Sequence, residues 1–296
     1  MLMASSANIS NAGISNKIRF GLVADAHFAQ TETLWARYYV QSKAKLNDAI
    51  NTFNESDLDF VIELGDFKDE GNPPNREETI EFLVEIEDVL SRFRGPVYHV
   101  LGNHDMDSIS KDDFLQNIRN HGQAKAKSYY SFINSGIKFI VLDANYNEDG
   151  SDYDSGNFDW TYSRIPETQK VWLQNELNDD LPVIVFTHQL LDSFSGVSET
   201  HCIDNAPEVV EILEKNNNVL AVFQGHYHHG NYSFRKGIHY YTMKAMVEGS
   251  LPDNNSYAIA EVDNDLNILI EGFYNCEDYV MKASSDFGRQ NSNYKP

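Results

Sequence analysis

The chain has 296 residues and a formal charge of −22 at pH 7, from 45 acidic against 23 basic side chains. That surplus argues against long nucleic acid or an anionic lipid surface as a partner, because both are bound through Lys and Arg that neutralise phosphates. Hydrophobic residues make up 41%, enough for a sizeable core, yet no run of about 18 apolar residues occurs, so a soluble globular protein without a membrane span is expected.

In chain order, residues 1–16 lack the basic start and full apolar stretch of a signal peptide and read as an N-terminal extension, with residues 2–7 at most the remnant of a signal. This leaves the compartment open between cytoplasmic and exported with the signal already absent. Short apolar runs rich in Val, Ile and Phe follow at 18–24, 60–64, 97–101, 139–143, 183–187 and 219–224. Each ends in a polar or glycine-containing turn, as a buried strand feeding a loop would. Helical patterns lie between them at 39–53, 77–93, 166–177 and 206–214, and the alternation implies a parallel α/β core. Four later runs, 232–234, 239–243, 257–262 and 268–273, are separated by short turns and predict an antiparallel meander. The simplest architecture is two packed mixed sheets with helices outside, in one domain over 17–280 with a polar tail at 281–296. Loops 145–164 and 189–205 are long enough to be functional and are candidate walls of a substrate pocket.

The polar residues with chemistry sit just past the ends of the predicted strands: Asp25-x-His27, Gly65-Asp66, Gly102-Asn103-His104-Asp105, His188 and Gly225-His226-Tyr227-His228. That edge is where ligands bind in open α/β sheets. An extended backbone would point Asp25 and His27 the same way, and likewise His226 and His228, with Gly225 leaving room for close approach. Carboxylate, amide and imidazole without thiolate suit Mn, Fe or Zn and disfavour Ca. Cys202 and Cys276 match no zinc pattern and are too few for a disulfide framework.

Two divalent metal ions roughly 3.5–4 Å apart need a bridging ligand, and Asp66, central in the series, is the natural choice. With Asp25 and Asp66 as the charged ligands and Asn103 neutral, such a pair stays positive and can bind a small phosphorylated substrate in an acidic protein. The nucleophile would be hydroxide from metal-bound water, attacking directly. His104 could protonate the leaving oxygen, with Asp105 orienting its ring.

Each piece alone has a bland reading, since strand ends often carry Asp for local turns; five pieces in order are harder to attribute to accident. The other histidines read as ordinary: His99 a core or strand-face residue, His121 at a helix end, His239 within a strand, His229 on the face opposite His228. His201 reads as a loop histidine that could reach substrate. Arg37, before Tyr38 and Tyr39, could hold a distal phosphate or stack a base, against an equal reading as a surface Arg beside core aromatics. Trp35, Trp160 and Trp172 read as core or rim. The acidic run Glu148, Asp149, Asp152, Asp154 and Asp159 reads as solvated surface.

The ordered motifs resemble the calcineurin-like metallophosphoesterase superfamily over residues 18–273. Arg37-Tyr38-Tyr39, Gly65-Asp66-Phe67-Lys68-Asp69 and Val247-Glu248-Gly249 are similar to its branch of manganese-dependent ADP-ribose/CDP-alcohol diphosphatases and their bacterial relatives. The resemblance implies a four-layer α/β/β/α sandwich. It also implies one metal on Asp25, His27, Asp66 and His228, the other on Asp66, Asn103, His188 and His226, and His104 as the acid. His27 stands where some members of the branch carry Gln, which argues against a narrow diphosphatase specificity. The expected function is hydrolysis of a small phosphate ester or nucleoside diphosphate compound. The alternatives are a noncatalytic protein-binding scaffold of the same fold, as in a retromer subunit, and a calcium-binding adhesin-like domain using the acidic loop. Motifs alone choose neither among monoester, diester and pyrophosphate nor an oligomeric state.

Overall fold

The structure, a computed structural model, describes residues 17–284 except 126 and 158. The expected extension 1–16 and residues 285–296 of the expected tail lie outside the described residues, and Met281, placed at the start of that tail, instead ends a strand. In chain order the elements are β1 (Ile18–Val23), α1 (Ser42–Glu55), β2 (Phe60–Glu63), α2 (Arg76–Leu90), β3 (Val97–His99), α3 (Lys111–Asn117), β4 (Tyr130–Asn134) and β5 (Ile137–Val141). There follow α4 (Glu167–Glu176), β6 (Val183–Phe186), α5 (Ala206–Glu214), β7 (Val219–Gln224), β8 (His229–Arg235), β9 (Ile238–Lys244), β10 (Ser256–Val262), β11 (Ile268–Tyr274) and β12 (Tyr279–Met281). No helix among the described residues is long and apolar enough to cross a membrane.

Two six-stranded mixed sheets result, ordered β12-β11-β10-β1-β2-β3 and β4-β5-β6-β7-β9-β8. The fully buried runs form the parallel centres, β1 to β3 in one sheet and β5, β6, β7 and β9 in the other. Both faces of such strands are covered, which is why they read as continuous apolar stretches. Between the sheets, Phe20 stacks on Phe60 at 4.9 Å and meets Phe139, Phe186 and Phe223 edge-on at 5.7, 6.0 and 5.9 Å. The outer face of the first sheet packs on α1, α2 and α3, and that of the second on α4 and α5. The order of layers is therefore α/β/β/α, as expected.

The antiparallel meander is corrected. β8 and β9 form a hairpin in the second sheet, where β9 runs parallel to β7, whereas β10, β11 and β12 belong to the first sheet, with β10 antiparallel to β1. Short turns reveal which strands are sequential neighbours, but the crossing at 245–255 between sheets is decided by which face needs covering. Strand β4 and helix α3 also escaped the pattern. β4 is a half-exposed edge strand, and α3 is seven residues long, begun by a capping box between Ser110 and Asp113.

The five inter-sheet phenylalanines make Phe20 a keystone. Phe20→Ala should lower the unfolding free energy by about 3–5 kcal/mol, measured from denaturant midpoints with unchanged slope. A loss under about 1 kcal/mol would mean the sheets repack without it.

Candidate metal centre

The parallel strands of both sheets deliver their polar C-terminal residues to one edge. There the backbone leaves extended geometry: Asp25, His27, Asp66 and His226 have φ of 53°, 45°, 53° and 66°. Strand alternation therefore does not aim these side chains, contrary to the expectation. Cross-chain hydrogen bonds do so instead. Asp25 and His27 donate their backbone N–H to Gly65 and Asp66 oxygens at 3.0 and 2.8 Å, and Val247 donates to Asp25 at 3.0 Å. Because the backbone at 226–228 is also turned, His229 lines the same cleft as His228 rather than the opposite face.

The side chains converge. His27 Nε2 and His228 Nε2 face each other at 3.2 Å, and His228 Nε2 lies 3.7 Å from Asp25 Oδ1. Asp66 Oδ2 lies 3.5 Å from His27 Nε2 and 3.1 Å from His188 Nε2. Donor atoms of Asp25, His27 and His228 lie within 4.8 Å of one another, as do those of Asp66, His188 and His226, and of His27, Asp66 and His104. Space for this is set by glycine. A Cβ on Gly102 would lie 2.1 Å from the Asp66 nitrogen, and one on Gly225 would lie 3.0 Å from Asp25 Oδ2. The expected role of Gly225 matches this close approach.

Whether the cluster suits metal ions can be tested on its own atoms. Asn103 Oδ1 and Nδ2 and His226 Nε2 are buried without a hydrogen-bond partner, an arrangement that costs free energy unless something else engages them, while His188 Nε2 faces the Asp66 carboxylate at 3.1 Å. The outer ring nitrogens, by contrast, are engaged. His27 Nδ1 lies 3.1 Å from Asp69 Oδ2, His228 Nδ1 lies 2.7 Å from Glu248 Oε1, and His188 Nδ1 donates to the Leu64 oxygen at 2.8 Å. Those partners orient each ring so that Nε2 points inward, as in histidines that ligate metals. Burial pushes His27 down to about 3 and His226 well below its usual value, so both rings are neutral, the form a metal requires. Burial opposes charge on His188 too, yet Asp66 and Asp25 overcome it and push that imidazole up to about 10. Two buried carboxylates thus demand a cation here, and the donor set fits divalent metals.

One role is corrected. Asp105 does not orient His104. Its carboxylate accepts backbone N–H groups of Asp66, Phe67 and Gly102 at 3.1, 2.9 and 2.8 Å, clamping the loop after β2. Asp69 is the carboxylate beside the ring, its Oδ1 3.6 Å from His104 Nδ1, with Asp107 Oδ2 at 4.0 Å. Burial opposes a proton on His104, but Asp69, Asp66 and Asp107 outweigh it and push the ring up to about 9. Sequence reasoning missed Asp69 and Glu248 in these roles, although both lie within quoted motifs; adjacency in sequence favoured Asp105, whereas the turn at 104–106 points it inward.

Arg37 and His201 both line a cleft of about 370 Å³ that opens on His226 and His228. Loop 189–205 supplies His201, whose ring centroid is 5.3 Å from that of His226, and loop 145–164 supplies Trp160, 6.3 Å from the same ring. Loop 189–205 therefore lines the cleft through His201, while loop 145–164 reaches the site only through Trp160 beside the His226 ring. The two cysteines are buried thiols.

His99 proves less ordinary than its strand position implied. Its ring lies between Glu87 Oε2 at 3.1 Å and Glu63 Oε2 at 3.4 Å, and Glu63 Oε1 accepts the Gly65 N–H at 2.7 Å. Burial opposes its charge, but Glu87 and Glu63 push it from 6.5 up to about 10. A raised imidazole contributes stability that is full below about 6.5 and lost as pH rises through about 10. Wild-type melting temperature should therefore fall between pH 7 and 10, and fall less in His99→Gln; parallel pH profiles for the two would contradict the charged pair.

Residues 18–230 match the family model of calcineurin-like phosphoesterases. The chain is 26% identical over 293 residues to a manganese-dependent ADP-ribose/CDP-alcohol diphosphatase of Arabidopsis thaliana, covering 84% of this chain and 93% of that protein. It is 24% identical to the Homo sapiens protein so named, covering 90% and 93%. In fold it is similar to a dimetal phosphatase from Danio rerio, with a TM-score of 0.76 at 21% identity, over 90% of this chain and 99% of that one.

Proposed function

The chain belongs to the calcineurin-like phosphoesterase family, and we propose that it is a two-metal hydrolase whose preferred substrates are small nucleoside diphosphate compounds. The observation that carries this reading is Asp66 Oδ2, 3.5 Å from His27 Nε2 and 3.1 Å from His188 Nε2, a carboxylate shared by two half-sites. Asp25, His27, Asp66 and His228 would hold one metal, and Asp66, Asn103, His188 and His226 the other. Manganese is the first choice over iron or zinc, supported by the names of the relatives. Bound there, divalent ions supply Lewis-acid polarisation of a phosphoryl group and acidify a water nucleophile.

This chain's own side chains supply the rest. Asp69 and Glu248 fix the His27 and His228 rings, and Asp105 fixes the loop carrying Asp66. His104, with Nδ1 toward Asp69, holds a proton that Nε2 would pass to the leaving oxygen. Arg37 and His201, on the wall of the cleft, would take the distal phosphate. A scaffold could lose ligands or the acid without cost, and this chain has lost none.

With added Mn, a panel of nitrophenyl phosphate, its diester, cyclic nucleotides, ADP-ribose and CDP-alcohols should give the highest kcat/KM on the last two. A chain that retains metal and cleaves none of them would favour the scaffold. Asp66→Asn should lose metal and activity together, and full metal content by elemental analysis would remove the shared ligand. His104→Ala should retain metal and slow alkyl leaving groups by about 10²–10⁴-fold while sparing nitrophenyl ones. Equal losses on both would remove the acid.

A further inference from the structure

We propose that Trp35 is the stacking platform for the nucleobase of the substrate, which makes it the residue that separates nucleoside diphosphate compounds from plain phosphate esters; this rests on the function proposed above. Trp35 is 84% exposed, and it contributes nothing to the core. It also sits at φ 53°, at the first central position of the turn closed by Leu34 and Arg37, whose backbones exchange hydrogen bonds at 3.3 and 2.9 Å. A positive φ there suits Gly or Asn, and a bulky side chain in that region is uncommon and strained. Strain of this kind persists where the surroundings over-determine it, and it clusters at ligand sites.

The surroundings do over-determine it. Gly249 donates to the Ala36 oxygen at 2.8 Å and Tyr38 to the Val247 oxygen at 3.0 Å, which ties the turn to segment 246–249. The buried Lys45 then holds that segment, donating from Nζ to the oxygens of Met246, Glu248 and Gly249 at 2.7, 3.0 and 2.7 Å. Trp35 is thus presented to solvent by a fastened turn.

What it is presented to is the cleft of about 370 Å³ that also receives Arg37, His201, His226 and His228, within the usual range for small-molecule sites. The same cleft has a second aromatic surface in His201 and Tyr227, 5.2 Å apart between ring centroids, with Trp160 next to it at 5.6 Å from His201. One turn therefore carries a large π-face and, two residues later, a guanidinium, beside a metal centre suited to phosphate. A planar base with a phosphate chain matches that order of groups, and every base has a face to stack.

The test uses the full chain with Mn. Trp35→Gly removes the ring but accepts φ 53°, so its melting temperature should match or exceed that of wild type. It should raise KM for ADP-ribose about 10-fold, leave kcat within about two-fold, and leave inhibition by inorganic phosphate unchanged. Trp35→Phe should recover most of the loss. Quenching of intrinsic fluorescence by AMP should be largely lost in Trp35→Gly. An unchanged KM for ADP-ribose, or AMP quenching that Trp35→Gly retains, overturns the inference while leaving the hydrolase reading intact. A wild-type chain that turns over no phosphorylated substrate sinks the hydrolase reading instead, and AMP quenching then still decides whether Trp35 holds a base.

Discussion

Two carboxylates, Asp25 and Asp66, are buried side by side at the edge where the two sheets meet, and the rest of the centre is a response to that. Buried charge is expensive unless it is paired. Burial pushes Asp25 up, whereas Asp66 is held well below the usual carboxylate range because His188 and His104 outweigh burial. His188 is drawn into a charged state by the same demand. Divalent ions would satisfy it with more charge in less space, and would engage the Asn103 and His226 atoms that have no hydrogen-bond partner within the protein. In a chain of net charge −22, such ions would also help draw a phosphate to the site.

Such a cluster is useful only if its inner nitrogens are aimed. The aiming is done by carboxylates and carbonyls one layer out: Asp69 on His27, Glu248 on His228, the Leu64 oxygen on His188. Asp105 plays the equivalent part for backbone, collecting amides of the loop after β2. Lys68 reinforces it from the other side, bonding the His104 oxygen at 2.7 Å and pairing with Asp107. The same economy governs the cleft wall, where Lys45 fastens the segment that carries Glu248 and braces the turn that presents Trp35 and Arg37. One segment thereby links the orientation of a proposed ligand to the wall that would meet the substrate.

The strand and helix pattern was legible wherever burial is two-sided and sequential. The six apolar runs became β1, β2, β3, β5, β6 and β7 within a few residues, and the span 206–214 became α5 without change. It failed where local pattern carries no address. The hairpin β8–β9 and the strands β10 to β12 look alike in sequence yet lie in different sheets. β4 is half exposed and so lacks a continuous apolar run.

The candidate ligands Asp25, His27, Asp66, Asn103, His188, His226 and His228 could be nominated from the sequence because ligand chemistry is a property of side-chain type and of position just past a strand, both written locally. What only the tertiary structure decided is which way each ring faces and what fixes it. Those contacts join residues far apart in the chain: His27 to Asp69 across 42 positions, Lys45 to Met246 across 201. The left-handed backbone at Asp25, Asp66 and His226 broke the strand rule that would have aimed them. The exposure of Trp35 belongs to the same class, because a tryptophan's default place is inside. A tryptophan stands out in solvent here because segments from opposite ends of the chain close around its turn, and a linear pattern holds no record of that.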